Sequence, residues 1–179
     1  MNKSLLSARY ALALYEYAVT LEADKSVKEH MELFYANWRN FPGIRMAMVA
    51  PTVDPVQKEK LLLMAGGADG EICLVNFFRL LVSHQREQFA GRIANAYVEL
   101  WNRKNHIVAA GLQSATPLSE ATESMIRKLL EKVLPGEKVE LKTMLYPDLI
   151  GGFVIQLDSL RVDASVKNEL RYMKTNLQK

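Results

Sequence analysis

Residues 106–115 read His-Ile-Val-Ala-Ala-Gly-Leu-Gln-Ser-Ala, and the character of the chain changes at this stretch. Its β-branched and small residues predict a strand. From the amino end to about Asn105, every segment predicts helix instead, because apolar residues recur at helical spacing. We therefore expect a mostly α chain of the α+β class. A helical domain would occupy residues 1–105, and a smaller α+β domain residues 106–179.

The carboxyl-terminal part alternates between strand and helix patterns. Ser119 predicts the cap of a helix whose first turn is acidic and whose last turn is basic. Residues 138–145 alternate apolar and charged side chains, which predicts a strand with one polar face. Two short apolar runs, 153–157 and 160–162, predict a hairpin across Asp158-Ser159. A last helix would carry one apolar stripe of Val166, Leu170, Met173 and Leu177.

The amino-terminal part is expected to form a bundle of six helices. Ser26 with Glu29 three residues later predicts a capping box at the start of the second helix. Asp54-Pro55 predicts the start of the fourth helix, with Asp as the cap and Pro in the first turn. Gly66-Gly67 predicts its end.

Composition excludes several classes of protein. The 179 residues are 49% hydrophobic and 24% charged, and Lys+Arg 23 against Asp+Glu 20 leaves a net charge of +3. That charge is too small to predict a nucleic-acid partner by itself. One Cys allows no internal disulfide. No apolar run is long enough to predict a membrane span, and Arg9 and Glu16 make the first segment a helix rather than a signal peptide.

Catalytic chemistry is not evident in the residues. His30, His84 and His106 are far apart and lack other ligands at metal-site spacing, so we expect no metal. Cys73 lies in an apolar helical segment, where thiols are inert. The glycine pairs Gly66-Gly67 and Gly151-Gly152 belong to no phosphate-binding motif. The residues predict neither an enzyme nor a cofactor, although a small enzyme and a nucleic-acid module stay open as other classes.

Two helices carry more apolar surface than a small domain can hide. Between Ser4 and Val19 only Arg9 and Glu16 are charged, and they lie on nearly the same side of a helix. The segment 72–82 has Asn76 and Arg79 as its only polar residues. Either both helices are central in the bundle, or one face of each forms a groove for a partner helix. The second alternative predicts an adaptor that interacts through helices.

Four segments of the chain carry, in order and at matching spacing, the motifs of one known family. They are residues 8–18 (ARYALALYEYA), residues 76–81 (NFFRLL) with Arg86, residues 114–118 (SATPL) and, most specific, LIGGFVI at 149–155 followed by DASV at 163–166. They resemble the opening, the fifth helix, the entry to the second domain and the carboxyl-terminal signature of the delta subunit family of the rotary F-type ATP synthase. The mitochondrial counterpart of this family is the oligomycin-sensitivity-conferring protein. Gln85 and Glu87 depart from the glycine and the apolar residue that are common there, and Asp158 replaces the usual hairpin glycine.

The resemblance implies a non-catalytic stator subunit, peripheral to the cytoplasmic face of a bacterial cell membrane and a monomer within its complex. It implies that the first domain binds the amino-terminal helix of an alpha subunit between the first and fifth helices. The second domain would hold the ends of the b-type stalk subunits. The alternative is a helix-binding adaptor of another complex.

By the resemblance, two sets of residues carry these roles. The partner-binding groove would consist of Tyr10, Ala13, Leu14, Phe77, Leu80 and Leu81. A second, structural set consists of Arg86, Gly151, Gly152, Asp163 and Ser165. The glycine pair would permit a backbone bend into a strand, and Asp163 and Ser165 would cap the last helix.

Overall fold

The computed structural model describes residues 3–157, 160–168, 170 and 173. The chain divides into two compact units, one ending at Trp101 and the other beginning at Asn102. This boundary lies slightly before the predicted one, inside a helix that continues to Lys104. The prediction of a mostly helical chain with a small carboxyl-terminal sheet is confirmed.

The described residues of the first unit form helices joined by turns and short loops. Its six α-helices are not a simple six-helix bundle, because a 3-10 turn, Glu87–Phe89, precedes the last of them. The helices are α1 (Lys3–Thr20), α2 (Asp24–Asn40), α3 (Pro42–Val49), α4 (Pro55–Gly66), α5 (Ile72–Ser83) and α6 (Ala90–Lys104).

Aromatic side chains form the centre of this unit. Phe34 of α2 is fully buried and packs against Phe78 of α5, with the ring centroids 5.3 Å apart. The Trp38 ring also packs against Phe34, with the ring centroids 5.6 Å apart. A Cβ on Gly91 would overlap the Trp38 ring, so only glycine fits where α6 meets this side chain. The core therefore joins α2, α5 and α6.

Helix ends follow the predicted signals in α4 but not in α2. The Asp54 carboxylate accepts a hydrogen bond from the Val56 N–H at 3.1 Å, as the cap prediction requires. Gly67, in the left-handed region at φ 60°, ends that helix. The prediction that Ser26 begins α2 with a capping box is wrong, because α2 begins at Asp24. The Ser26 hydroxyl instead donates to the Glu71 carboxylate at 3.1 Å.

The second unit is a four-stranded mixed sheet with one described α-helix longer than a turn. Strand order is β2-β1-β3-β4, with β1 and β2 parallel and the other pairs antiparallel. The parallel pair is joined through α7, as parallel strands require. The elements are β1 (Ile107–Ser114), α7 (Glu120–Val133), β2 (Lys138–Leu145), β3 (Gly152–Leu157) and β4 (Leu160–Ser165).

The core of the second unit lies between α7 and the sheet. It consists of Ala110, Leu112, Ile126, Leu130, Val139, Ile155 and Leu157. Only the first half of β2 reaches it: Val139 is buried, whereas Thr143 and Leu145 on the same face are exposed. The predicted apolar face of this strand is therefore buried only at its first residues, and β2 lies at the edge of the sheet.

Residues 166–168 begin the predicted last helix. Its further positions Leu170 and Met173 are helical and exposed. Leu177 and the turn residues Asp158-Ser159 lie outside the described residues.

Candidate functional site

A groove of about 350 Å³ lies between α1 and α5. Its walls are mostly apolar, and one charged residue reaches it. The lining residues are Arg9, Tyr10, Ala13, Leu14 and Tyr17 of α1, and Asn76, Phe77 and Leu80 of α5. Of the two alternatives that the sequence leaves open, this arrangement favours the second, since each helix is buried on one side and exposed on another.

The groove contains all but one of the predicted partner-binding residues. Tyr10, Ala13, Leu14, Phe77 and Leu80 line it. Leu14 and Phe77 are 1% and 7% exposed and form its floor, whereas Leu80 is 44% exposed at its edge. Leu81 was predicted to line the groove, but this prediction is wrong, because the side chain is fully buried. One residue along a helix rotates the side chain by about 100°, which turns Leu81 from the groove into the core.

Aromatic contacts fix the two helices against each other. The rings of Tyr10 and Phe77 meet edge to face, with centroids 6.4 Å apart and an interplanar angle of 68°. At the other end of the groove the Asn76 side-chain amide donates to the Tyr17 hydroxyl at 3.1 Å. These two contacts therefore join α1 to α5 at the groove.

Arg86 does not line the groove but contacts Tyr10 at one end of it. Its guanidinium donates to the Tyr10 hydroxyl at 2.7 Å and lies 5.5 Å from the ring centroid. This contact explains the structural role that the resemblance implied for Arg86. It fixes the ring that forms one wall.

The turn that presents Arg86 is a Schellman ending of α5. The Arg86 N–H bonds to the Leu81 carbonyl at 2.8 Å, and the Gln85 N–H to the Val82 carbonyl at 3.0 Å. Gln85 adopts φ 55°, the left-handed conformation that favours glycine. A glutamine at this position therefore carries a conformational cost.

We expect Gln85→Gly to stabilise the helical unit by about 0.5–1 kcal/mol, because glycine removes the left-handed penalty but adds unfolded-state entropy. Gln85 is exposed, so no packing is lost. Urea unfolding followed by the helical signal measures the change. A loss of stability would show that the Gln85 side chain makes a contribution of its own.

Three lining residues were missed from the sequence: Arg9, Tyr17 and Asn76. Tyr10, Ala13 and Tyr17 follow i, i+3, i+7 spacing, so the helical periodicity could have identified Tyr17. Asn76 lies beside Phe77 in sequence, but its polar side chain gave no signal for a binding surface.

The structural residues of the second unit lie together where β3 meets β4. Gly152 is at φ 76° and pairs with Ser165 across the ladder. A Cβ there would overlap the Ala164 carbonyl oxygen, so a glycine is required. Gly151 has no positive φ, and a Cβ on it would meet only the Val166 side chain at 3.0 Å. The bend instead involves Ile150, whose φ is 66°.

Ser165 caps the last helix and Asp163 supports that cap. The Ser165 hydroxyl accepts a hydrogen bond from the Asn168 N–H at 3.2 Å and donates to the Asp163 carboxylate at 2.6 Å. The Ser165 hydroxyl and N–H, both bonded to the Asp163 carboxylate, lower the pKa of Asp163. A lowered carboxyl pKa stabilises the fold above the usual Asp pKa, and the contribution is lost as the pH falls through the lowered value. Asp163 thus acts through Ser165 rather than as a cap itself.

Burial raises the pKa of the Cys73 thiol to about 11, and this side chain is fully buried in α5. Among the described residues, no three His, Cys, Asp or Glu side chains come together as metal ligands. No helix in the described part of the chain is long and apolar enough to cross a membrane.

Comparison with known proteins decides the family. The family model for the ATP synthase delta (OSCP) subunit matches residues 6–177. The chain belongs to this ATP synthase delta (OSCP) subunit family. It is 31% identical to an ATP synthase subunit delta of Parabacteroides distasonis, over 99% of this chain and 98% of the relative. Identity to the corresponding subunit of Synechococcus sp. (strain CC9902) is 30%, over 97% and 96% of the two chains.

A solved structure shares the fold. A chain in the cryo-EM structure of the Toxoplasma gondii mitochondrial ATP synthase hexamer matches with a TM-score of 0.70. The match covers 97% of this chain and 98% of that one at 18% sequence identity. As a member of the delta (OSCP) family, the chain is a non-catalytic component of the peripheral stalk of ATP synthase. The resemblance drawn from the four sequence segments is confirmed.

Proposed function

We propose that the groove between α1 and α5 binds the amino-terminal helix of an alpha subunit. The single observation that carries this proposal is the groove itself, an apolar surface on two helices whose opposite faces form the core. An amphipathic helix buries its apolar face in such a groove through residues spaced three and four apart. Ala13 is small and exposed on the α1 side, which leaves room for a helix to approach closely.

The energetics of the groove suit a durable joint. Apolar surface contributes about 25 cal/mol per Å² removed from water, before the costs of ordering the partner. Leu80 and Tyr17, which are 44% and 38% exposed, have apolar area left to bury. Phe77 of the floor and Tyr10 of the wall already pack against each other, so little entropy is lost there on binding.

Calorimetric titration of the full chain with a synthetic peptide of the first 25 or so alpha-subunit residues tests this proposal. We expect saturable one-to-one binding with a dissociation constant in the micromolar range or below. A scrambled peptide of the same composition is the control, since it keeps the charge but not the helical spacing. Equal binding of both peptides would contradict the proposal, and so would no binding.

For the second part of the chain, residues 106–179, we propose contact with the ends of the b-type stalk subunits. Its main helix carries an unpartnered apolar stripe: Met125, Leu129 and Val133 of α7 are 73%, 57% and 58% exposed. Their i, i+4, i+8 spacing places them on one side of the helix, which is the pattern of a helix-binding face.

Amide hydrogen exchange of the full chain with a soluble carboxyl-terminal b-subunit segment tests this assignment. We expect slower exchange within 106–179 and no change within 3–101. The alpha peptide should produce the reverse pattern, which makes each ligand the control for the other. Protection by the b segment confined to the helical unit would overturn the division of roles.

These two contacts together would fix the catalytic head to the membrane-anchored stalk. The subunit would act as one copy in each complex, at the cytoplasmic face of a bacterial membrane. Because a stator must resist rotor torque without turnover, long-lived apolar contacts matter more than any reactive group. Slippage at either contact would reduce the ATP synthesised per ion translocated.

A further inference from the structure

One end of the groove is positively charged. Among the residues that the structure describes, Arg9 is the one charged side chain that lines the groove, and Arg86 lies over the adjoining Tyr10 ring. The opposite end is neutral, formed by the hydrogen-bonded pair of Asn76 and Tyr17. The groove therefore has an electrostatic direction along its length as well as apolar walls.

Arg9 differs from the neighbouring arginines in having no partner among the residues that the structure describes. Arg86 donates to Tyr10, and Arg79 pairs with Glu59 at 3.2 Å. Arg9 is exposed, and no hydrogen bond or ion pair within the described ranges engages its guanidinium. A helix seated in the groove would cover part of this side chain and remove water from it. Partial desolvation of a charge is costly unless an opposite charge or hydrogen-bond acceptor replaces the water.

We propose that Arg9 pairs with an acidic side chain on the helix that occupies the groove, and so sets the position of that helix along α1. This inference rests on the proposed function, because it concerns the same occupant. Apolar walls alone allow a helix to bind in several registers or in both directions. A carboxylate at the Arg9 end selects one of them, since its binding at the Asn76 end would leave Arg9 unpaired. Arg9 is thus a residue that determines specificity more than total affinity.

The experiment titrates the alpha-subunit peptide into the full chain and into the variants Arg9→Gln and Arg9→Lys. We expect Arg9→Gln to weaken binding about fivefold, and Arg9→Lys to retain most of the affinity because it keeps the charge. Arg92→Gln is the matched control, since Arg92 is an exposed arginine on α6 that does not line the groove. It should leave the affinity unchanged. An exposed Arg without a structural partner can be replaced with little effect on folding, so the melting temperatures should agree.

Substitution of each acidic peptide residue in turn by its amide identifies the partner. One amide-substituted peptide should bind the wild-type chain more weakly, by about the same factor as Arg9→Gln weakens binding of the unsubstituted peptide. That peptide should bind the Arg9→Gln chain no more weakly than the unsubstituted peptide does. Added salt should weaken peptide binding to the wild-type chain more than peptide binding to the Arg9→Gln chain. Equal affinities of wild type and Arg9→Gln would overturn the role of Arg9 while leaving the groove proposal intact. Absence of binding to the wild-type chain would overturn both.

Discussion

Gly152→Ala is expected to destabilise the carboxyl-terminal unit by about 3 kcal/mol. Gly152 is held at φ 76°, a conformation that costs other residues about 1–2 kcal/mol. A Cβ would also overlap the Ala164 carbonyl oxygen and lie 3.0 Å from the Ser165 Cα, both of them backbone atoms of the paired strand. Backbone cannot rotate away as a side chain can, so the ladder between β3 and β4 has to open.

Amide exchange at Val154 and Ile155, in the middle of β3, measures this change without assuming that the two units unfold together. Gly151→Ala is the matched control. Its Cβ would meet only the Val166 side chain, and we expect a loss of about 1 kcal/mol or less. Peptide binding in the groove should be unaffected by either variant. Similar exchange rates in both variants would show that the close approach at Gly152 is not what holds this hairpin together.

This pair of glycines shows what the sequence can and cannot predict. The motif located the bend and the strand that follows it. It could not tell which glycine needs the unusual backbone, because that depends on the register between Gly152 and Ser165. Nor could it predict the positive φ at Ile150, since a β-branched residue is rarely found there.

Polar contacts between residues far apart in the chain could not be predicted from the sequence either. Glu87 is buried, and nothing near it in sequence explains a buried carboxylate. In the structure its partner is Lys58, at 2.7 Å and 29 residues away. Ser26 failed as a cap for a related reason, because Glu71, 45 residues away, accepts its hydrogen bond. Patterns of neighbours predict helices well, but they do not identify tertiary partners.

The groove was predictable as far as helical periodicity extends. Excess apolar surface on α1 and α5 predicted it, and the resemblance supplied its residues. Leu81 was misplaced because a family motif is a run of consecutive residues, whereas a helix separates neighbours by about 100°. Arg9 was noted only as an exception within an apolar helix, since the sequence does not show which side of α1 faces α5.

Leu80→Asp is expected to weaken binding of the alpha-subunit peptide by more than about 2 kcal/mol, or roughly 30-fold. Leu80 is 44% exposed in the free protein, so an aspartate there stays solvated and the fold is kept. On binding, the same carboxylate would be enclosed against an apolar helix face without a partner. Titration calorimetry measures the loss, and a thermal melt checks the fold.

Met46→Asp is the control for this prediction. Met46 is a 71% exposed apolar residue of α3 that does not line the groove, so its substitution should leave peptide affinity unchanged. If Leu80→Asp instead lowers the melting temperature sharply, Leu80 belongs to the core and the groove is narrower than described. Unchanged affinity with an intact fold would remove Leu80 from the interface.

Site-specific crosslinking in the assembled ATP synthase tests the central claim most directly. A photoreactive phenylalanine analogue at Ala13, an exposed residue of the groove, is compared with the same analogue at Met46. The account predicts that the Ala13 position crosslinks to the first residues of an alpha subunit, as identified by mass spectrometry, and that Leu80→Asp in the same chain reduces the yield. Crosslinks from Ala13 to a different subunit, or to an alpha segment outside its amino-terminal helix, would contradict it.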